Sequence, residues 1–196
     1  MNLPNRLTVL RIVLTFMFMV FLFSPGVGAK AMAFTAFSLA CLTDFLDGYI
    51  ARKYNLITDL GKLLDPIADK ILVLSAFLAF VEIGIIQAWM VVIIILRELL
   101  ITGVRILAVS KGKILAASLA GKHKTVSQMI SIFVILAVIV INEAGISVFG
   151  FWTAGVKEWA HICIDMLMYI TVALTLISGA SYVVNNKGVF GNAKAD

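Results

Sequence analysis

Four aspartates between positions 44 and 69 have the residue type and the spacing that metal chemistry requires. Asp44 and Asp47 are three residues apart, and Asp65 and Asp69 are four apart. Either spacing places both carboxylates of a pair on one face of a helix. Because an isolated charge at the centre of a bilayer costs about 3 kcal/mol or more, acids in so apolar a chain need a partner.

The partner that suits these carboxylates is a divalent metal. Two such helix faces brought together would present four carboxylates to one point, and cations or protons must then neutralise most of their charge. The ligand set is all oxygen, which favours Mg²⁺ or Mn²⁺ over zinc. For phosphate chemistry with this many carboxylates, two ions roughly 4 Å apart are the usual arrangement. The sequence therefore predicts a site for two divalent cations.

The residues between the aspartates fit the same chemistry. Gly48 and Gly61 remove side chains where two helices approach closely or where a flat ligand enters. Arg52, about one turn after Gly48, offers two parallel hydrogen bonds to a phosphate. The alternative is a set of ordinary interfacial charges at two helix ends, which would account for one aspartate better than for the whole pattern.

The segment from Asp44 to Asp69 reads D-x2-DG-x2-AR-x8-G-x3-D-x3-D. At every position it resembles the signature of the CDP-alcohol phosphotransferases, integral membrane enzymes that make phospholipids. The resemblance implies that Asp44, Asp47 and Asp65 are metal ligands. It also implies that Asp69 is both a metal ligand and the catalytic general base. The residues predicted to bind the CDP-lipid are Asn5, Gly48, Ala51, Arg52, Thr58 and Gly61.

A group of basic residues forms a second candidate site. Arg97 and Arg105 are eight residues apart, about two helical turns, and therefore share a helix face. We predict that the phosphate of an acceptor alcohol binds to a pocket built from such side chains. The alternative is a positively charged cytoplasmic loop, with Arg97 paired to Glu98 or Asp165. The predicted acceptor-phosphate-binding residues are Arg11, Arg97, Arg105, Lys122 and Lys124.

Three further stretches narrow the acceptor. NLPNRLTVLRI, RELLITGVRILAVSKGK and GKHKT resemble the branch of the family that uses CDP-diacylglycerol and sn-glycerol 3-phosphate. That resemblance implies phosphatidylglycerol phosphate and CMP as products, and a homodimer as the assembly. The aspartate pattern concerns only the binding and activation of the CDP-lipid, which all these enzymes share. It does not identify the acceptor, so inositol phosphate, serine and phosphatidylglycerol remain alternatives. A carboxylate-lined cation transporter is a further alternative, but it explains neither Arg52 nor the glycines.

The composition predicts an all-α membrane protein with one domain over residues 1–196. The chain is 62% hydrophobic and 14% charged, with a mean hydropathy of +1.06, far from soluble averages. Residues 1–8 are predicted to form a short surface segment. Six apolar runs, each near the roughly 20 residues that a bilayer needs, predict six transmembrane helices. They lie at about 7–23, 31–50, 63–81, 83–108, 126–141 and 159–184.

The distribution of Lys and Arg predicts the orientation. With six spans and both termini in the cytoplasm, Lys30 and Lys157 lie outside and Arg97 lies within a span. The remaining 13 of the 16 basic residues then lie at the inner side. The metal site is thereby predicted to face the cytoplasm of a bacterial inner membrane. Topology and anionic lipid headgroups account for the net charge of +5, so nucleic-acid binding is not predicted.

Overall fold

The fold is known from a computed structural model. It describes residues 3–53, 59–110, 119–145 and 153–186, and the side chains of residues 6–48, 66–108, 123–145 and 153–186. Within these ranges every regular element is a helix, as the composition predicts.

Six helices follow one another along the described chain. Each overlaps one of the six apolar runs, which confirms that these runs form helices. The predicted start of the fourth helix at Ile83 is wrong, because that helix begins at Ala88. The helices are α1 (Leu3–Phe23), α2 (Val27–Lys53), α3 (Asp59–Glu82), α4 (Ala88–Ser110), α5 (Leu119–Ala144) and α6 (Ala154–Asn185).

A glycine explains why the apolar run at residues 83–108 does not begin as a helix. Gly84 has a φ of 72°, a left-handed conformation that strains other residues. Its amide donates to the carbonyl of Val81 at 2.9 Å, and the Ile85 amide donates to Phe80 at 2.9 Å. This pair of hydrogen bonds is the Schellman motif, which ends α3 and turns the chain before α4.

Within the described residues, four helices are long and apolar enough to cross a membrane, namely α1, α2, α5 and α6. Charged residues interrupt the other two: α3 is acidic in its first half, and α4 carries Arg97, Glu98 and Arg105. Spans in α3 and α4 therefore stay predictions. Because α1 already begins at Leu3, the predicted surface segment is continuous with α1, and its position at the surface also stays a prediction.

The outward faces of these helices are apolar. Phe16, Phe45, Leu99 and Trp159 are each more than half exposed, and comparable side chains are exposed on every helix. Exposure of this much large apolar surface is unfavourable in water and favourable against lipid tails. The described chain therefore has the surface of a membrane protein.

The chain divides into two compact units. Unit 1 comprises Met1–Ile85 and Ile132–Ile162, and unit 2 comprises Ile86–Ser131 and Cys163–Asp196. Both α5 and α6 contribute one part to each unit. The assignment of one domain over residues 1–196 stays a prediction.

In unit 1, α1 packs mainly against α2. Large buried residues on α1 meet small ones on α2, where side chains such as alanine let two helices approach closely. The Phe37 ring of α2 lies 5.5 Å from Phe18 and 5.3 Å from Phe133, measured between centroids. This packing sets the register between α1 and α2. The buried apolar residues described on these two helices are Leu14, Phe18 and Leu22 on α1, and Ala33, Ala36, Phe37 and Ala40 on α2.

In unit 2, α4 and the second part of α6 share an apolar cluster. Tyr182 of α6 is buried with Ile101 and Val104 of α4. Met90 and Ile94 continue the buried face of α4 toward its N-terminus. The same face carries Arg97 and Glu98 between these apolar residues, so that unit 2 has charged groups in its interior.

Candidate active site

Arg11 of α1 joins two of the predicted metal ligands on α2. Its guanidinium Nη1 lies 2.8 Å from an oxygen of Asp44, and Nη2 donates to an oxygen of Asp47. The Arg11 side chain is fully buried, and Asp47 is 5% exposed, whereas Asp44 is 49% exposed. The two carboxylates therefore converge on one cationic group.

The helix packing explains this convergence. Arg11 lies three residues before Leu14 and seven before Phe18, on the face of α1 that packs against α2. Asp47 lies seven residues after Ala40, on the matching face of α2. The Thr15 hydroxyl donates to the Arg11 carbonyl at 2.8 Å, which satisfies a polar side chain within the helix itself. The interface is thus apolar along most of its length and charged at one end.

The Arg11 guanidinium also has N–H donors that no described hydrogen bond uses. Among the described residues, its Nε and Nη1 have no hydrogen-bond acceptor, although Nη1 is in ionic contact with Asp44. A guanidinium has five N–H donors, and buried donors are normally paired. The remaining donors suit the oxygens of a phosphate bound beside the carboxylates.

The other two predicted ligands lie on α3. The Asp69 side chain is exposed, and the side chain of Asp65 falls outside the described residues. Among the side chains that are described, no three His, Cys, Asp or Glu residues are grouped closely enough to hold a metal ion. The convergence of all four carboxylates therefore stays a prediction.

The residues that are present fit a hard divalent cation. Asp44 and Asp47 offer carboxylate oxygens, which Mg²⁺ and Mn²⁺ prefer. Both already turn toward a positive group, the Arg11 guanidinium. A cation at this end of the α1–α2 interface would meet two acidic side chains oriented from one helix.

Most of the predicted CDP-lipid-binding residues cannot be placed. Gly48 follows Asp47 directly on α2 and is partly exposed. The side chains of Asn5, Ala51, Arg52 and Thr58, and the surroundings of Gly61, lie outside the described side chains.

Unit 2 contains a second charged cluster, centred on Glu98 of α4. One carboxylate oxygen of Glu98 lies 3.2 Å from Arg97 Nη1 and also accepts a hydrogen bond from Lys124 Nζ of α5. Arg97 Nη2 donates to the Ser178 hydroxyl of α6 at 2.8 Å. The side chains are 11% exposed for Arg97, 16% for Glu98 and 7% for Lys124. One carboxylate thus holds two predicted acceptor-binding residues.

The remaining members of the predicted acceptor pocket are Arg105, Lys122 and Arg11. Arg105 is exposed on α4, and the side chain of Lys122 lies outside the described residues. Arg11 belongs to unit 1, against Asp44 and Asp47. The alternative pairing of Arg97 with Glu98 is observed, but the same contact includes Lys124, so it does not exclude a pocket.

The family model described as CDP-alcohol phosphatidyltransferase matches residues 1–177. The chain belongs to the CDP-alcohol phosphatidyltransferase family. This confirms the resemblance in the Asp44–Asp69 segment.

Curated relatives in the CDP-alcohol phosphatidyltransferase family align along most of their length. A CDP-diacylglycerol–glycerol-3-phosphate 3-phosphatidyltransferase of Bacillus subtilis (strain 168) is 34% identical over 94% of this chain and 95% of its own. The protein of the same name from Rickettsia bellii is 35% identical over 92% and 93%. A probable phosphatidylglycerophosphate synthase of Mycobacterium tuberculosis (strain H37Rv) is 34% identical over 93% and 80%.

For a phosphatidyltransferase of this family, sequence reasoning missed three contacts in the two clusters. It did not pair Arg11 with the aspartates, nor Lys124 with Glu98, and it did not single out Ser178. A signal for Ser178 exists in the sequence. Thr171, Thr175, Ser178 and Tyr182 recur at helical spacing in an otherwise apolar span and mark a polar face of α6.

Gly179 controls how closely α6 approaches Arg97. A Cβ at this position would lie 3.1 Å from Arg97 Cγ, while the guanidinium is held by Ser178 and Glu98. We expect Gly179→Ala to destabilise the protein by about 1 kcal/mol, because an overpacking cost of about 1–3 kcal/mol exceeds the gain in helix propensity. Reversible unfolding in mixed micelles, followed by circular dichroism, measures this difference.

Gly103→Ala is the matched control for that substitution. Gly103 lies within α4, and a Cβ there meets nothing within 4 Å. We expect this variant to be as stable as the parent or slightly more stable. Equal stabilities of the two variants would show that Gly179 is not needed for the approach of α6 to Arg97.

Proposed function

We propose that the chain transfers a phosphatidyl group from CDP-diacylglycerol to sn-glycerol 3-phosphate, which yields phosphatidylglycerol phosphate and CMP. The names of the relatives from Bacillus subtilis and Rickettsia bellii support this reaction, since they align with 94% and 92% of this chain. The observation in this chain that carries the proposal is the convergence of Asp44 and Asp47 on one buried cationic group.

In the proposed reaction, a hydroxyl oxygen of the acceptor attacks the phosphorus that bears the lipid. The new phosphorus–oxygen bond forms while the bond to CMP breaks, and CMP leaves with the electron pair. Asp69 accepts the proton of the attacking hydroxyl as general base. Its position on an exposed face of α3 is compatible with access for a soluble acceptor.

Asp44, Asp47, Asp65 and Asp69 would together hold two divalent cations, either Mg²⁺ or Mn²⁺. Once bound, these ions would neutralise the charge that develops on the pyrophosphate oxygens in the transition state. Arg11 holds Asp44 and Asp47 in a common orientation. Its remaining donors would bind an oxygen of the CDP-lipid pyrophosphate.

The two substrates would be recognised by different groups of residues. Asn5, Gly48, Ala51, Arg52, Thr58 and Gly61 remain the proposed CDP-lipid-binding set. Arg97 and Lys124 would bind the acceptor phosphate, together with Arg105 and Lys122. Arg11, which the sequence analysis predicts for the same pocket, is assigned to the CDP-lipid instead because it contacts Asp44 and Asp47. The charges of Arg97 and Lys124 exceed that of Glu98 by one positive charge, which favours an anionic acceptor.

The placement in the cell follows from the apolar helices and the basic residues. We propose six spans, a single catalytic domain, and an active site that faces the cytoplasm of a bacterial inner membrane. The four helices long enough to span a membrane support this arrangement, as does the excess of Lys and Arg on the inner side. The family resemblance is the support for a homodimer.

The deciding experiment is CMP release by the purified protein with CDP-diacylglycerol and Mg²⁺ or Mn²⁺. Glycerol 3-phosphate, inositol phosphate, serine and phosphatidylglycerol are compared as acceptors. We expect release only with glycerol 3-phosphate and only with a divalent cation. Because Asp69 is the proposed base, Asp69→Asn should lower the rate by about 10²–10⁴.

Other outcomes would change specific parts of the proposal. Release that depends on a different acceptor would leave the metal site in place and replace only the acceptor. Absence of release with every acceptor, together with cation flux into vesicles that contain the protein, would favour a transporter instead.

A further inference from the structure

In unit 2, Glu98 is an anionic group in contact with two cations, Arg97 and Lys124, whose side chains are 11% and 7% exposed. It accepts from Lys124 of α5 and contacts Arg97, its neighbour on α4. Lysine and arginine side chains have high rotamer freedom, and holding them in one place costs conformational entropy. Glu98 contributes a contact to each of them, because one of its oxygens faces both cations.

Arg97 is itself fixed from the opposite side. The Ser178 hydroxyl accepts from its Nη2 at 2.8 Å, and the absence of a side chain at Gly179 leaves room for its Cγ. Glu98 is therefore in contact with a neighbour that is itself held in place. The described contacts link Ser178 of α6 through Arg97 and Glu98 to Lys124.

Polar groups continue from this cluster along α5 and α6. Ser131 and Thr171 are hydrogen bonded at 2.8 Å, and each lies seven residues from the cluster, which is about 10 Å along its helix. Gln128 and Thr175 fall between these two levels. Both are buried, and among the described residues Gln128 Nε2 and Thr175 Oγ1 have no hydrogen-bond partner, nor has Arg97 Nε.

This balance of groups is unusual for a purely structural contact. A structural ion pair needs one cation for one carboxylate, and apolar residues of similar size often serve stability equally well. Here Arg97 and Lys124 together carry one more charge than Glu98. Among the described residues, Arg97 Nε and Gln128 Nε2 have no hydrogen-bond partner. Surplus charge and unpaired donors together suit the oxygens of a phosphate.

We propose that Glu98 is the positioning residue of the acceptor-phosphate pocket. Its carboxylate holds the Lys124 ammonium beside the Arg97 guanidinium, so that the pair binds one phosphate group. The inference rests on the proposed function, because it takes the acceptor to be a phosphate ester. Glu98 acts only through Lys124 and Arg97 and does not itself touch the reacting atoms.

The test compares Glu98→Gln, Glu98→Asp and Lys124→Ala in the full chain. CMP release is measured against glycerol 3-phosphate concentration, and inorganic phosphate is titrated as a competing ligand. We expect Glu98→Gln to raise both the KM for glycerol 3-phosphate and the inhibition constant of phosphate about tenfold or more. The KM for CDP-diacylglycerol should stay within about twofold, since the CDP-lipid residues are unchanged, whereas a general loss of structure would alter both KM values.

Glu98→Asp tests whether the length of the Glu98 side chain matters in addition to its negative charge. The aspartate keeps the negative charge, but its side chain is one methylene shorter, so we expect an intermediate KM for glycerol 3-phosphate. If Glu98→Gln does not fold, Glu98→Asp tests the positioning role of Glu98 in its place. An unchanged KM in a folded Glu98→Asp protein would then overturn the positioning role. Glu158→Gln, a substitution at an exposed position of α6, is the matched control and should behave as the parent.

The outcomes distinguish the inference from the proposed function. If Lys124→Ala leaves the acceptor KM unchanged, the proposed acceptor pocket is wrong, and Glu98 has nothing to position. If Lys124→Ala raises that KM but Glu98→Gln does not, the pocket stands and the role of Glu98 is wrong. A lower KM in Glu98→Gln would also overturn it, since Glu98 would then compete with the phosphate for Lys124.

Discussion

Asp47→Asn is expected to lower metal-dependent CMP release by at least about a thousandfold. The substitution keeps the shape of the side chain but removes one of the carboxylates proposed to hold the cations. Loss of several kcal/mol of transition-state stabilisation corresponds to this factor, at about 1.4 kcal/mol for each tenfold change. Asp47 is chosen for this test because it is the buried member of the described pair and is bound to Arg11.

Asp59→Asn is the matched control for Asp47→Asn. Asp59 begins α3 within the same acidic segment but is not part of the family pattern. We expect it to retain the parent rate, measured as initial CMP release across a range of Mg²⁺ concentrations. A folded Asp47→Asn protein with more than about a tenth of the parent rate would contradict the metal-ligand assignment, since general loss of one charge near the site does not cost several kcal/mol.

The six helices could be predicted from sequence because apolar runs near the length of a membrane span recur six times along the chain. Their boundaries could not, since a boundary depends on single residues. Gly84 illustrates the difference: its left-handed conformation and two hydrogen bonds end α3, whereas the apolar residues around it continue the hydrophobic pattern into the turn. Hydropathy depends on the composition of such a stretch and not on its φ angles, so it does not show where the helix ends.

The aspartate pattern could likewise be predicted, but the partner of the aspartates could not. Arg11 is 36 residues from Asp47 along the chain, and the contact depends on the register of α1 against α2. That register is set by the packing of Phe18 and Phe37. Basic residues in the first helix are common for reasons of topology, so nothing local in the sequence distinguishes Arg11 from Arg6.

The choice of partners for Arg97 shows the same limit. The sequence leaves both Glu98 and Asp165 as candidate partners of Arg97. Helical spacing shows which residues share a face of one helix, but it does not show which helices pack together. The structure pairs Arg97 with Glu98 and adds Ser178 and Lys124 from two other helices. The cluster forms only when three helices are packed together. It therefore cannot be predicted from any one segment of the sequence.

The two charged clusters have opposite balances, and each suits a different substrate group. Arg11 contacts both Asp44 and Asp47, so these three side chains carry one more negative than positive charge, in keeping with the proposed cation site. Glu98 contacts both Arg97 and Lys124, so those three side chains carry one more positive than negative charge, in keeping with the proposed phosphate site. In both cases an opposite charge lowers the cost of bringing two like charges together.

Arg11→Met is expected to destabilise the protein by about 3–5 kcal/mol when divalent cations are chelated. The substitution leaves the buried Asp47 carboxylate without the guanidinium that contacts it, and removal of one partner from a buried ion pair costs about this much. Arg11→Lys should cost less, because it keeps the charge, although one ammonium cannot make the two contacts that the planar guanidinium makes. Reversible unfolding in mixed micelles with and without Mg²⁺ measures these differences.

Arg6→Met separates the role of Arg11 from that of a basic residue in the first helix. Arg6 is exposed on α1, and we expect its loss to change stability by less than about 0.5 kcal/mol. If Arg11 stabilises the carboxylates, saturating Mg²⁺ should restore part of the stability of Arg11→Met, because a bound cation can neutralise the same oxygens. Equal stability of Arg11→Met and Arg6→Met under chelation would contradict the buried ion pair. If Mg²⁺ failed to stabilise Arg11→Met although it stabilises the parent, Arg11 would be needed to orient the carboxylates for the metal as well as to neutralise them.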